Sequence, residues 1–586
     1  MKVNEYLAKR ILEEDSVVFG ITGGAAINLF DALHKSGVKL VPMHHEQACA
    51  MAADAYARLS GKLGICVVTS GPGATNLLTG TCCSFYDSIP ILNISGQVPS
   101  KHLRKNFSEN LRQYGFQETD VQELFSSVTK FSTLVNNSKN FISTLESAIA
   151  IACSQRPGPV IVDICDEIQR EEIVETGFSD IPIKATKKEH PSENKLQVIS
   201  ENVFELMRDS KRPIVILGHG IHIAHYEKET IEFIEKLNMP IFLTWGALDL
   251  LDDDHPLNMR DFGVTSQRAG NFAIQNSDFI FSIGTKLDTH EVANYNKFAP
   301  NALKVIVDID SEELNKIHDD KTLKICADLR TFINYSKFSF EKTRWDEWRK
   351  AIKQLRESYP ICDTHNSKFV NPYFFMNFCA RASSDDCTII TDAGQTLTWT
   401  MQGWKIKQGQ RLITAFNHSP MGYPLPASVG AYYANHKPVI CMIGDGGFQM
   451  NIQELQTIVH HRLPIKIFVL DNNGYGMIKQ TQSDWNSLSQ GVMCDNRCDL
   501  TFPEIERIAK AYKIDFELIS CEEQLYKINS ILANSRPCIC SVIIEDGEKI
   551  APKLKFGDDF ENQKPYLDSL NIQKINESLR SIGEKR

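Results

Sequence analysis

The sequence predicts an α/β chain of three doubly wound parallel-sheet domains. Three observations predict it. Short β-branched, apolar runs recur along the chain, and each ends in a Gly-rich turn. A stretch of helical period follows each turn, which is the rhythm of parallel sheets with crossover helices. The length of 586 residues exceeds one hydrophobic core and gives about three to four domains by itself.

The first block covers residues 1–182. Its opening, MKVNEYLAKRILEEDSVVFGI, sets charges within an apolar helical pattern and then turns β-branched, so a helix leads into a strand. KLGICVVTS, SIPILNIS and RPGPVIVDIC supply further strands. The polar run IKATKKEHPSENK, around Lys184 to Lys195, reads as a linker. The second block, residues 196–335, contains KRPIVILGHG, MPIFLTW, DFIFSIGTKLD and KVIVDID. A charged helical stretch, EKTRWDEWRKAIKQLRESY, crosses to the third block. That block, residues 366–550, contains CTIITDAGQ, KPVICMIGDGG and LPIKIFVLDNNG. The polar tail, 551–586, reads as a C-terminal arm or lid.

Composition excludes several classes. The net charge of −10 is spread along the chain without a basic block, so nucleic acid is not an expected partner. No apolar run reaches the ~18 residues of a membrane span. The N-terminus lacks a signal-peptide core. A cytoplasmic chain is expected, and its 16 cysteines are read as reduced. The close pairs Cys82 and Cys83, Cys494 and Cys498, and Cys538 and Cys540 have no second pair at zinc-ligand spacing.

The densest chemistry lies between Cys441 and Gly476: CMIGDGGFQMNIQELQTIVHHRLPIKIFVLDNNGYG. KPVICMIG reads as a strand, FQMNIQELQTIVHH as a helix and IKIFVLD as the next strand. Gly-Asp-Gly and Asn-Asn-Gly then both fall at strand C-terminal ends, where open α/β sheets bind ligands. Asp445 offers a carboxylate oxygen and Asn472 a carbonyl oxygen, a hard set that suits octahedral Mg²⁺ and phosphate oxygens. Gly444, Gly446 and Gly447 let backbone approach, and the helix N-terminus favours a diphosphate. Two ordinary strand-end turns are the alternative.

The first block contains VPMHHEQACAMAADAYARLSGKLGICVVTSGPGATN. Glu46 sits there where a strand ends and an Ala-rich helix begins. Ala48, Ala50, Ala52 and Ala53 permit close packing against another element. Glu is common in a first helical turn, so these residues alone leave a solvated helix-start Glu equally open.

Both stretches resemble thiamine-diphosphate enzymes, in particular their acetolactate synthase branch. Gly446 and Asn472 are separated by residues 447 to 471, 25 in all, which is that family's metal-loop spacing. HEQ at 45–47, TSGPGATN at 69–76, ISGQVP at 94–99, GFQETD at 115–120, RPGPVIVDI at 156–164, TDAGQ at 391–395, MGYPLPA at 421–427 and GDGGFQMNIQEL at 444–455 run collinear with it. The resemblance implies a pyrimidine-binding first domain, a central FAD-type domain and a diphosphate-binding third domain. It implies that Glu46 activates the cofactor, that Met421 holds it bent, and that Asp445, Asn472 and the Gly474 carbonyl bind Mg²⁺. Gln395, Gly444, Gly446, Gly447, Phe448 and Met477 are then the cofactor's neighbours. Gln117 and Gly24 fall beside the reacting atoms, with Phe116 near the substrates. The family's site forms between two subunits, so a homodimer or homotetramer is expected. The implied reaction decarboxylates pyruvate and ligates its two-carbon unit to an acceptor carbonyl.

Three departures bear on the acceptor. The synthases carry Trp where GMIKQTQ places Thr481, which leaves a larger and more polar pocket. GTKLDT replaces an Arg of the family pattern by Lys286, losing a bidentate fork. DICDEIQ places Asp166 where the pattern has Lys. The acceptor is therefore either a 2-oxo acid or a nucleotide-linked keto sugar. In the central domain, Gly218, Gly220, Gly284 and Asp308 fall at the family's FAD positions, so FAD is expected as a third cofactor. A simple 2-oxo acid decarboxylase, an oxidase with redox-active FAD, and a degenerate partner-binding subunit are the remaining alternatives. His44 and His45 bear on the first of them.

Overall fold

The computed structural model describes residues 1–108, 110–173, 191–336, 338–361, 367–485, 487–555 and 557–583. The expected linker lies mostly outside them, as do the boundary positions 182 and 366.

Three parallel sheets carry the fold. The first contains β1 (Val18–Gly20), β2 (Leu40–Pro42), β3 (Gly64–Val68), β4 (Ile91–Gln97), β5 (Phe131–Val135) and β6 (Val160–Cys165), in the order β2-β1-β3-β4-β6-β5. The second contains β7 (Pro213–Leu217), β8 (Ile241–Leu243), β9 (Phe279–Ile283), β10 (Leu303–Asp308) and β11 (Thr322–Cys326), in the order β11-β10-β9-β7-β8. The third contains β12 (Thr388–Thr391), β13 (Arg411–Ile413), β14 (Val439–Gly444), β15 (Lys466–Asp471), β16 (Asp515–Ile519) and β17 (Cys538–Ile543), in the order β13-β12-β14-β15-β17-β16. Helices cover both faces, so central strands such as β3, β4 and β7 are buried along their whole length. That double burial is why they read as unbroken apolar runs rather than alternating ones.

One sequence expectation is corrected. FQMNIQELQTIVHH is not one helix. Residues Asp445–Met450 and Leu455–His460 are helical, with a short 3₁₀ turn at Ile452–Glu454. The break is at Asn451, whose φ of −133° is not helical. Its buried side chain donates instead to the Gly422 carbonyl at 3.0 Å.

The Ala-rich helix Glu46–Ser60 was expected to pack closely against another element, and the same chain provides one. Residues Ala48 to Arg58 are buried, and the helix Pro424–Asn435 of the third domain lies against them. A Cβ on Gly430 would stand 1.9 Å from the Ala52 carbonyl oxygen. Small residues on both helices thus let two backbones meet, joining the first and third domains in one core.

The tail clasps the central domain. Its strands Lys553–Leu554 and Gln563–Lys564 pair antiparallel, and Arg268 donates to the Gln563 carbonyl at 2.8 Å. Asn276 in turn donates to Asn576 on the tail helix Ser569–Arg580 at 2.7 Å. The described cysteines are free. No helix among the described residues is long and apolar enough to cross a membrane.

Candidate active site

The register of the third sheet builds one half of the site. β14 and β15 pair Gly444 with Leu470, so the turns after both strands open at the same edge. Asp445 is buried there. Its Oδ1 accepts from the Gly446 amide at 2.6 Å and its Oδ2 from the Gly474 amide at 2.9 Å. Burial pushes its carboxyl up to about 7, with Asp471 adding to the rise and the two amides and Lys479 opposing it. It is a buried acid short of positive charge.

Asn472 is buried beside it, and its Nδ2 donates to Gln395 Oε1 at 3.1 Å. That bond fixes the amide so that Oδ1 is left without a donor among the described residues. A carboxylate, an amide oxygen and the Gly474 carbonyl make an all-oxygen set, which fits Mg²⁺. Gln395 is held in turn, donating to the Glu548 carbonyl at 2.8 Å.

The backbone at this edge is tight. A Cβ on Gly447 would stand 1.7 Å from Asp392 Oδ2, and one on Gly446 2.3 Å from the Tyr475 ring. Gly444 is open, with Thr396 Oγ1 at 3.4 Å from such a Cβ. Backbone amides at a helix start beside the open Gly444 suit a diphosphate. Phe448 is fully buried beneath them, while Met477 is half-buried at the start of the helix Gly476–Asp484. Met421 is half-buried, and the next residue, Gly422, donates its amide to Asp392 Oδ1 at 2.8 Å. Burial pushes Asp392 up to about 7. Asp392 was not anticipated as a site residue. Its signal was its place at the end of a β-branched run, as with Asp445.

The other half gathers around Glu46 on the first sheet. His45 caps the Glu46–Ser60 helix, its Nδ1 accepting from the Gln47 amide at 3.1 Å. Asn76 Nδ2 donates to Glu46 Oε2 at 2.9 Å. Oε1 accepts from no described residue and lies 3.6 Å from where a Gly73 Cβ would be. Gln117, at φ +64°, packs its carbonyl 2.6 Å from a Cβ position on Gly71. Gly24 is exposed, and its neighbour Gly23 abuts Thr69. Thus Gly24, the Thr69–Gly73 turn and Gln117 surround the acid. Phe116 is 86% exposed beside Gln117. His44 instead braces the two halves: its amide donates to Glu454 Oε1 and its ring meets Thr457 Oγ1, both at 3.0 Å.

Thr481 is half-buried on the helix Gly476–Asp484, its Oγ1 donating to the Met477 carbonyl at 2.9 Å. Lys286 stands elsewhere. It lines a cavity of about 640 Å³ where the central domain meets the first and third, together with Gly220, Gly284 and Asp308, and Thr481 is not among the walls. Its ammonium donates to Asn417 Oδ1 at 2.8 Å. Gly218 and Gly284 nearly touch, since a Cβ on Gly218 would fall 2.2 Å from the Gly284 carbonyl. Burial pushes Asp308 up to about 6. His219 also faces this cavity, and burial together with Arg58 and His222 holds it down to about 4. Its Nε2 is buried with no partner among the described residues. Close glycine turns, an acid at a strand end, an unpartnered ring nitrogen and this volume fit a dinucleotide. Asp166 lies apart, paired with Arg170 at 2.9 Å.

The sequence comparisons agree with this architecture. Residues 1–124 match the thiamine pyrophosphate enzyme, N-terminal TPP binding domain. Residues 200–335 match the central domain of that enzyme class, and residues 392–542 its C-terminal TPP binding domain. The chain is 31% identical over 542 residues to the acetolactate synthase isozyme 2 large subunit of Escherichia coli, covering 92% of this chain and 94% of that one. It is 30% identical to the acetolactate synthase large subunit of Lactococcus lactis, covering 92% of both. It is also 29% identical to the chloroplastic acetolactate synthase 2 of Zea mays, covering 93% of this chain and 85% of the maize protein. With three domain matches in order and relatives aligned over nearly its whole length, the chain belongs to the thiamine pyrophosphate enzyme family, in its acetolactate synthase large-subunit-like branch, and is a thiamine-diphosphate-dependent enzyme of the carboligase and lyase type.

Proposed function

We propose that this enzyme decarboxylates pyruvate and ligates the two-carbon unit to the ketone of a second 2-oxo acid, as the names of its relatives indicate for them. The observation that carries the reading is the pair of half-sites: an acid with one open oxygen at Glu46, and an all-oxygen metal set at Asp445, Asn472 and Gly474.

Thiamine diphosphate, when bound, supplies an acidic thiazolium carbon that attacks a ketone and a ring that accepts the electron pair released with carbon dioxide. The chain's residues do the rest. Asp445, Asn472 and the Gly474 carbonyl would hold Mg²⁺, and the amides at Gly446 and Gly447 would meet the diphosphate. Glu46 Oε1 is the atom that holds and returns a proton, because Asn76 occupies only Oε2. Met421 takes its position from the Gly422 amide anchored on Asp392. Gln117 and Gly24 would border the space above Glu46, with Phe116 beside Gln117, and Thr481 would face the acceptor from the third domain. In the central cavity Gly218, Gly220, Gly284 and Asp308 would hold FAD. A soluble homodimer or homotetramer in the cytoplasm completes the reading.

Thr481 favours a second acceptor, the ketone of a nucleotide-linked deoxysugar, because a small hydroxyl stands where the synthases carry an indole. Mass spectrometry of products from purified enzyme with thiamine diphosphate, Mg²⁺, FAD and pyruvate separates the two. Abundant acetolactate from pyruvate alone supports the first reading. A two-carbon adduct on a nucleotide-linked keto sugar, with little acetolactate, supports the second. Neither product would overturn both.

A further inference from the structure

A second cavity, of about 530 Å³, opens between the central and third domains. The helix Pro372–Ala382 turns one face toward it: Phe374, Asn377, Phe378 and Arg381 follow at helical spacing. Arg356, from the helix that crosses between the domains, enters from the other side with Arg260, and Lys405 stands at the rim. Four cations and, among the described residues, no acid line this cavity, in a chain of net charge −10.

Arg260 and Arg356 are set back from solvent and incompletely paired, while Arg381 and Lys405 are exposed. Arg260 is 4% exposed. Its Nη1 pairs with Asp253 and its Nη2 donates to the Met401 and Trp404 carbonyls at 2.8 and 3.0 Å, but its Nε is buried without a partner among the described residues. The side chains of Arg356, Arg381, Lys405 and Asn377 make no hydrogen bond or ion pair among the described residues. Burial, and next the Arg260 guanidinium, hold Arg356 below the usual arginine range. Of these cations only Arg260 has an acid paired to it among the described residues, so an anion in the cavity would stabilise the set.

We propose that this cavity binds a nucleoside polyphosphate. Guanidinium forks take phosphate oxygens in pairs, and Lys405 adds a point charge. Phe374 and Phe378, both half-buried, offer a flat apolar surface to a base, and the Asn377 amide stands on the same face to meet its edge. The volume suits one such ligand. The walls also touch the chain's path to the active site. Tyr373 and Gln402 donate to the Ala551 and Pro552 carbonyls, one and two residues beyond Ile550, whose amide donates to Gln480.

The test is a calorimetric titration of the full chain with ADP, with thiamine diphosphate, Mg²⁺ and FAD saturating. One ADP per chain is expected, with competition by pyrophosphate, weaker than ADP, and none by adenosine. Arg356→Ala and Arg381→Glu should each weaken ADP by about tenfold or more, the scale of one charge-assisted contact. Arg381 is exposed, so Arg381→Glu should keep the unfolding temperature of the parent. Asp308→Asn, in the other cavity, should leave ADP affinity unchanged. The proposal is overturned by no saturable binding at millimolar ADP, by binding that Asp308→Asn weakens and Arg381→Glu does not, or by pyrophosphate binding as tightly as ADP.

Discussion

Glu46 makes little demand on the fold, since one oxygen takes a single bond from Asn76 and the other takes none among the described residues. Glu46→Gln keeps the shape and removes the exchangeable proton. Turnover should fall by about 10²–10⁴-fold, with the unfolding temperature unchanged and thiamine diphosphate still quenching tryptophan fluorescence. Full turnover in that variant would remove Glu46 from its role. Gln395 acts one step further out, orienting the Asn472 amide from behind. Gln395→Ala should weaken Mg²⁺ by about 10–100-fold in a metal titration of the enzyme, the usual loss for an outer-shell partner. Unchanged metal affinity would mean that Asn472 is held by its backbone alone. Glu46 is also where local reading stopped short. Its position at a helix start was legible, but its open oxygen depends on Asn76, thirty residues away.

At the scale of elements, close backbone approach decides which glycines matter. The Glu46–Ser60 and Pro424–Asn435 helices meet at Gly430 and Ala52. Gly430→Ala puts a methyl into the Ala52 carbonyl and should cost about 1–3 kcal/mol by denaturant titration, as overpacking does. Gly24→Ala meets nothing within 4 Å and is its control. The alanine run was visible in the sequence as a request for a close neighbour. Which neighbour was not visible, because residues some 380 positions apart along the chain form the contact. The single helix expected over 448–461 failed for a related reason. Its residues favour helix locally, but the Asn451 amide is recruited by the Gly422 carbonyl, a tertiary contact that outweighs propensity.

Across the whole molecule, a buried charge network ties the domains. Arg58 donates to Asp54 at 2.6 Å and to Asp87 at 2.7 Å. Tyr423 of the third domain donates to Asp54 at 2.6 Å, and the Phe416 and Asn417 amides donate to Asp87 at 2.9 and 3.0 Å. Arg58→Met strands two buried carboxylates and should cost about 3–5 kcal/mol of unfolding free energy. Asp87 also sets a pH dependence. Burial raises its pKa, but the Arg58 guanidinium, then His219 and Asn417, outweigh burial and hold it below the ordinary range. A carboxyl lowered in the folded state contributes stability above its unfolded pKa and loses it as pH falls through the folded one. The acid limb of stability should therefore flatten in Asp87→Asn, measured by denaturant midpoint against pH. An acid limb as steep as the parent's would place the titrating group elsewhere.

The sequence by itself determined the three-sheet α/β class, the strands at their centres, and the spacing of Asp445 and Asn472. Each of these is written in hydrophobic period, turn chemistry or short chain distance. Only the tertiary structure decided that Lys286 belongs with the central cavity, that Asp392 anchors Gly422, and that Arg58 lies between Asp54 and Asp87. It also decided that four cations meet around one cavity. Those facts rest on which distant segments the sheets bring to a common edge, and no local pattern encodes that.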